Sequence, residues 1–299
     1  MSPVPPITLS AGALELCLSP SIGGSISWFE WIGGGARVPV LRKSNSCHQN
    51  VLDAACFPLV PYVNRIRGGQ FAFRGRDVRL APNMAGDPSP LHGQGWQAPW
   101  RVERAAASEA LLSFHHQPGE WSWEYRAEQH FALDEAGLSL RLSCRNLSDE
   151  PMPCGLGQHP YFPCGGETRI DTRVHDVWTI DEHVLPVAKV AATGRFDLSD
   201  RAVCGQDLDH GFGGWSGAAR LTDPGWPFDL ELSSPDARFF QLYSPLDSAA
   251  SGGIFVAEPV THANAALNAP EERWDELGIK VLEPSDAMHL TMRLDVIAN

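Results

Sequence analysis

Apolar and polar residues alternate along much of the chain, with the period of half-buried strands. Ile7–Ser10, Leu14–Leu18 and Ser25–Trp31 carry the pattern, broken at Gly12 and at Gly23-Gly24, and Gly33-Gly34-Gly35 closes the hairpin. Residues 69–80 read as a hairpin turning at Gly75, and 110–115, 121–133 and 138–147 as further strands. Later strands are expected at 169–180, 218–222, 228–233, 237–243, 253–257, 279–283 and 287–296. Helical periodicity is scarce. The best stretch, 264–277, contains Pro270, which limits it to a turn or two. Short strands at regular spacing predict an all-β fold, a large antiparallel β-sandwich with few short helical turns. The 28 glycines and 24 prolines, spread throughout, supply the turns such a fold needs. No linker, repeat or composition shift divides the chain, so residues 1–299 are expected to form a single domain.

A net charge of −13 leaves no basic footprint for nucleic acid and nothing to draw the chain to anionic lipid. No run of 18 apolar residues exists, so no transmembrane helix is expected. The N-terminus, Met1-Ser-Pro-Val-Pro-Pro, lacks the basic and apolar regions of a signal peptide. Seven scattered cysteines without a Cys-x-x-Cys pair read as reduced thiols, which points to a cytoplasmic protein.

Chemistry is concentrated in five places. Gly155-Leu-Gly-Gln-His159-Pro160-Tyr-Phe162 delivers an imidazole in extended backbone, because the residue before proline is pushed out of the helical region. In Pro61-Tyr-Val-Asn64-Arg65-Ile-Arg-Gly-Gly69, Arg65 stands among apolar residues, with a guanidinium fork suited to sugar hydroxyls or to a structural ion pair. Leu91-His92-Gly-Gln-Gly-Trp96 sets an imidazole beside an indole, and an aromatic face suits the apolar C–H face of a sugar. Asp207-Leu-Asp209-His210-Gly-Phe212 reads as a glycine-containing acidic loop, where turn formation is the ordinary role of such residues. Gly252-Gly-Ile-Phe-Val-Ala-Glu258-Pro259 places a carboxylate at the end of an apolar strand. There it requires either a partner or a raised pKa and a task. Glu283, in a similar local setting, reads as a turn residue, and Trp178, Trp215 and Trp226 read as pocket lining or as core, core being the commoner role.

Metal and cofactor chemistry find no support. His115 and His116 are adjacent and point to opposite faces of a strand, and no His-x-His or His-Glu-x-x-His spacing occurs. Glycine-rich phosphate loops, dinucleotide fingerprints and Gly-x-Ser-x-Gly elbows are also missing. Chemistry without a cofactor or metal is expected.

The order of these motifs resembles that of the aldose 1-epimerase (galactose mutarotase) family: Asn64-Arg65-Ile66, His92-Gly93, His159-Pro160-Tyr161-Phe162, Asp209-His210-Gly211-Phe212, and Glu258 after Gly253-Ile254. One departure is His92-Gly93-Gln94-Gly95-Trp96, where the commoner pattern is His-Gly-Gly. With the short chain, this is most similar to a bacterial branch of aldose-epimerase-like proteins.

The resemblance implies a galactose-mutarotase-like sandwich that interconverts the α and β anomers of free aldoses without a cofactor. It implies that Glu258 takes the proton of the C1 hydroxyl and that His159 protonates the ring oxygen. His92 and Arg65 would hold the ring oxygen and nearby hydroxyls, and Asp209 would bind a hydroxyl. Asn64 and Trp96 complete the expected sugar site. The acid must carry its proton while the base does not, so a nearby carboxylate, Asp209 being one, is expected to raise the pKa of His159. Rival readings are a non-catalytic carbohydrate-binding sandwich and another sugar enzyme on the same superfold, such as a lyase, lactonase or phosphosugar epimerase. For the phosphosugar case, Arg65, Arg67, Arg74, Arg76 and Arg79 lie close in sequence. Nothing in the pattern selects the preferred sugar or an oligomeric state.

Overall fold

Alternation in the sequence becomes alternation in burial. In the strand Tyr125–Leu133 every odd-numbered residue is buried and every even-numbered one is partly exposed. Gly137–Asn146 repeats this beside it, Phe131 opposing Leu140 and Gln129 opposing Leu142. The coordinates are a computed structural model and describe residues 4–44, 49–250 and 253–299. Cys47 and Gly252 lie outside the described residues, and the six described cysteines are buried and form no disulfide with one another.

Two large antiparallel sheets dominate. The first runs in the order Arg201–Ala202, Arg169–Thr172, Ala218–Thr222, Phe228–Ser233, Ala287–Ala298, Gly137–Asn146, Tyr125–Leu133, Glu109–His116, Arg101–Ala105. The second runs Pro186–Ala191, Asp176–Ile180, Leu208–Gly213, Phe239–Ser244, Ile254–Val260, Gly157–Gln158, Pro58–Leu59, with Tyr161–Pro163 also pairing with Ile254–Val260. A four-stranded sheet made of Ile7–Ala11, Leu14–Ser19, Ser25–Gly33 and Ala36–Leu41 completes the frame. Buried side chains such as Phe29, Phe131, Leu140, Phe228, Leu232 and Met292 form the continuous core. Each large one contributes about 1.5–3 kcal/mol relative to exposure. The expected all-β antiparallel architecture is observed.

The expected hairpin is Gln70–Phe73 paired with Arg76–Arg79, and Arg74 and Gly75 make its left-handed turn. Phe71 and Phe73 bury against Trp121, Trp123 and Trp274, which seats the hairpin on the body. The 264–277 region holds 3₁₀ turns at Ala266–Asn268 and Glu271–Arg273 and one α-turn at Trp274–Leu277, with Pro270 at the break. Three expectations need correction. Residues 169–180 form two strands in different sheets, divided at Arg173–His175, because Thr172 and Asp176 pair with different partners. Regular pairing in the 121–133 stretch begins at Tyr125. The acidic loop around Asp209 is the regular strand Leu208–Gly213, and it is supported on both sides.

Candidate active site

Glu258 lies within the strand Ile254–Val260, opposite Gln241 on the neighbouring strand, and is only 3% exposed. His159 reaches it through a break in pairing. Gly157 and Tyr161 both pair with Ile254–Val260, but Pro160 has no N–H to continue the ladder. The His159 N–H turns away and donates to the Phe57 carbonyl at 3.0 Å. The break leaves His159 Nε2 3.3 Å from Glu258 Oε1. Phe57 stacks on the imidazole at 4.5 Å between ring centres, and Tyr161 leans against it at 4.7 Å. Two buried atoms of this pair, His159 Nδ1 and Glu258 Oε2, have no protein partner among the described residues. Unpaired buried polar atoms are costly, and they mark places where function competes with stability.

Burial decides the charge state. It pushes the Glu258 carboxyl well above its ordinary range, assisted by the Asp209 charge and opposed by Arg65. It also drives the His159 imidazole down to about 3, helped by the nearby Arg42 cation. The expectation that a carboxylate raises His159 is therefore corrected: desolvation of the imidazolium outweighs the attraction of neighbouring acids. Both shifts favour the uncharged forms, a protonated carboxyl beside a neutral imidazole.

Two loops build the opposite wall. The Asn64 N–H donates to His92 Nδ1 at 3.1 Å, and the His92 N–H donates to the Asn64 carbonyl at 3.0 Å. Both residues hold left-handed backbone, with φ near 56° and 60°. Because Nδ1 accepts, the proton of neutral His92 sits on Nε2, and burial keeps this ring well below the usual imidazole pKa. Gly93 is required beside it, since a Cβ there would lie 2.0 Å from the Val60 carbonyl oxygen.

Arg65 Nε donates to Asp87 at 2.8 Å and Nη1 to Asn64 Oδ1 at 3.0 Å, so the ion-pair reading and the site reading are both met by one side chain. On the sheet side, Gln241 Nε2 donates to Asp209 Oδ1 at 2.9 Å, and burial raises the Asp209 carboxyl. Trp96 is 1% exposed and packs against Phe57 and His92. It backs the cavity and offers no open face, which corrects the expected stacking platform; Tyr161 stands closer to that role.

These side chains line one cavity of about 260 Å³: Glu258, His159, His92, Arg65, Asn64, Asp209 and Trp96, joined by Phe57, Tyr161, Gln241, Tyr243, Leu52, Leu91 and Met84. Every residue singled out from the sequence as a site residue is there. A larger hollow of about 580 Å³ lies among Arg126, Arg141, Arg145 and His289 on the outer face of the nine-stranded sheet. Its side chains are solvent-facing and include no buried ionisable pair, so the smaller cavity is the candidate site. Trp178, Trp215 and Trp226 do not line the site cavity. Glu283 is exposed and pairs with Arg74.

Sequence reasoning missed Gln241, Tyr243, Asp87 and His262. Gln241 and Tyr243 lie on a strand that reads as core, and only the register opposite Glu258 and Asp209 reveals them. His262 never touches the cavity, yet its Nε2 accepts from the Val63 N–H at 2.9 Å and its Nδ1 bonds the Ala263 carbonyl at 2.8 Å, fixing the loop that carries Asn64 and Arg65. No cluster of metal-ligating side chains occurs among the described residues.

The sequence profile of the aldose 1-epimerases matches residues 5–274. The chain belongs to the aldose 1-epimerase family. An uncharacterized Escherichia coli K12 protein, YphB, is 33% identical over 277 residues, covering 88% of this chain and 90% of the relative. A crystal structure of an Escherichia coli K12 protein with a provisional aldose 1-epimerase designation superposes with a TM-score of 0.88. Its identity is 31%, with 98% of this chain and 99% of that one covered. A galactose mutarotase-like protein of Clostridium acetobutylicum shares the fold, with a TM-score of 0.83 at 19% identity over 98% of this chain and 95% of its own. Among the described residues, no helix of this family member is long and apolar enough to cross a membrane.

Proposed function

We propose that this family member is a mutarotase, interconverting the α and β anomers of a free aldose by acid–base opening and closure of the ring. The observation that carries the reading is the 3.3 Å contact between His159 Nε2 and Glu258 Oε1 inside a sugar-sized, partly apolar cavity. Ring opening moves the O1 proton to a base and delivers a proton to O5 as the C1–O5 bond breaks and C1=O forms. Rotation about C1–C2 and the reverse transfers close the other anomer. A pair that holds one proton at two sites returns to its starting state after each turnover.

In the resting pair the proton sits on Glu258; its movement across the contact to His159 gives a carboxylate base and an imidazolium acid. Arg65 favours that charged form, since its guanidinium stabilises ionised Glu258. Glu258 Oε2, which has no protein partner, is the atom for the O1 proton. His92 Nε2–H and Arg65 supply donors for ring and hydroxyl oxygens, while Asp209, held by Gln241, accepts from a hydroxyl. Each positioned acid or base is worth about 10²–10⁴ in rate.

A free sugar suits the site better than a phosphosugar. Arg67, Arg74 and Arg76 are engaged with Asp181, Glu283 and Glu150 on the surface. Arg65 is already neutralised by Asp87, and Asp209 adds negative charge. Polarimetry on freshly dissolved α-D-glucose and α-D-galactose tests the proposal, with Glu258→Gln and His159→Asn each expected to lose about 10²-fold or more. Wild-type rates in Glu258→Gln would refute the assignment. Calorimetric sugar binding without faster mutarotation would replace it with a binding function.

A further inference from the structure

Behind the imidazole stands a cation that the acid–base reading does not use. Arg42 directly follows the strand Ala36–Leu41, and its N–H donates to the Tyr161 carbonyl at 2.8 Å. Its guanidinium lies 3.7 Å from the centre of the Tyr161 ring, and that ring lies 4.7 Å from the ring of His159. Nε donates to the Ala54 carbonyl at 2.9 Å, and Nη2 donates to the carbonyls of Leu52 and Ala54. No carboxylate of the described residues lies within ion-pair distance of it. A partly buried guanidinium held among the described residues by carbonyls and the Tyr161 side chain, with Asp53 acting on it only at longer range, keeps much of its charge directed at its surroundings.

We propose that Arg42 is a positioning residue for the His159–Glu258 pair: acting through the Tyr161 ring, it fixes the tilt of the imidazole and sets which member of the pair holds the proton. The proposal rests on the acid–base reading of that pair. Three physical links support it. The guanidinium ties Tyr161 to the turn at Val51–Asp53, so the ring that leans on His159 cannot swing away. The two ring contacts hold its charge within about 8 Å of the imidazole, where an effective dielectric near 20 gives a displacement on the order of 1.5 pH units. That displacement has the same sign as desolvation, holding the imidazole neutral.

Other charged groups face the pair and its cation from each packed element, and Asp53, on the turn that Arg42 binds, attracts the guanidinium. Glu258 on its strand attracts a proton to the imidazole, His92 from its loop repels one, and Phe57 is neutral. Arg65 and Asp209 lie across the cavity and oppose one another. Arg42 is the cation on the far side of Tyr161, so it biases the pair without occupying space meant for sugar.

The test follows the imidazole nitrogens of His159 by NMR against pH, without sugar, in wild type, Arg42→Met and Arg42→Lys; His159→Asn provides the assignment. Arg42→Met is expected to raise the protonation midpoint of His159 by at least one unit. Arg42→Lys, which keeps the charge but not the planar fork, is expected to return it to within about half a unit. In mutarotation, the acid limb of kcat should move with that midpoint while KM changes less than about twofold. If Arg42→Met does not fold, Tyr161→Leu, which removes the ring between the two groups and leaves the carbonyl contacts of Arg42 in place, is expected to shift the same midpoint. A variant that loses stability or activity with an unmoved midpoint shows a purely structural arginine and overturns the proposal. Because the NMR reading uses no substrate, it stands apart from whether the protein proves to be a mutarotase.

Discussion

The position of the shared proton can be measured as stability. A Glu258→Gln protein replaces a neutral buried carboxyl by a neutral amide of the same shape, so its native state closely imitates the protonated wild type. The unfolded states differ, because the unfolded glutamate ionises near its ordinary value of 4.5 while glutamine does not. A group raised in the folded protein loses stability as pH climbs above its unfolded pKa. Glu258 thereby takes stability from the native protein progressively as pH rises from 5 to 7. His159, lowered to about 3 from 6.5, acts with the opposite sign and costs stability as pH falls below 6.5. Acidification from pH 7 to 5 makes its cost about 2 kcal/mol larger. In the wild type the two terms oppose one another, since the folded pair favours a proton on Glu258 and disfavours one on His159. In Glu258→Gln only the histidine term survives. Urea unfolding followed by tryptophan fluorescence at pH 5 and pH 7 should show the variant losing about 2 kcal/mol on acidification, and the wild type, where Glu258 opposes that loss, losing less. All other titrating groups are common to both proteins. Parallel curves would mean that Glu258 is already ionised when folded, and the charge assignment would be wrong.

Further outcomes follow from the same geometry. Mutarotation should hold a broad plateau around neutral pH, falling on the acid side only as His159 binds a second proton for the pair and on the alkaline side as Glu258 passes its raised pKa; a bell centred near pH 6.5 would contradict this. Gly155→Ala places a Cβ 1.9 Å from His262 Cδ2, so it should cost about 1–3 kcal/mol in denaturant unfolding and lower kcat/KM through the displaced Asn64–Arg65 loop. His262→Leu removes the acceptor of the Val63 N–H and should destabilise by about 1–3 kcal/mol, more than the surface change His115→Leu. Gln241→Leu leaves Asp209 without its donor and should raise KM more than it lowers kcat, read from initial polarimetric rates.

The sandwich was legible because alternation is local: a period of two needs no knowledge of partners, and Tyr125–Leu133 shows it residue by residue. Very short strands escaped, because Pro58–Leu59, Gly157–Gln158 and Tyr161–Pro163 are held by neighbours distant in sequence and have too few residues to display a period. The candidate site was legible in motif order, and Glu258 also on physical grounds, since a carboxylate in an apolar strand demands an account. The stretch around Asp209 reads as a loop, because a strand with glycine and histidine inside it looks like one until its pairing is seen. Gln241 and His262 left no signal: each works by pairing with a group more than 30 residues away. The sign of the His159 shift was missed because neighbouring charges can be guessed from a sequence, whereas the degree of burial cannot.

The two halves of the cavity have different origins in the chain. Glu258, Gln241 and Asp209 sit on adjacent hydrogen-bonded strands, whereas Leu52, Met84 and Leu91 come from connecting segments. The two carboxyl groups and the amide between them are thus fixed to the ladder, whereas part of the cavity outline is drawn by connecting segments. Under the proposed function, substitutions at those three apolar positions would change the outline met by a sugar while leaving Glu258, Gln241 and Asp209 in place.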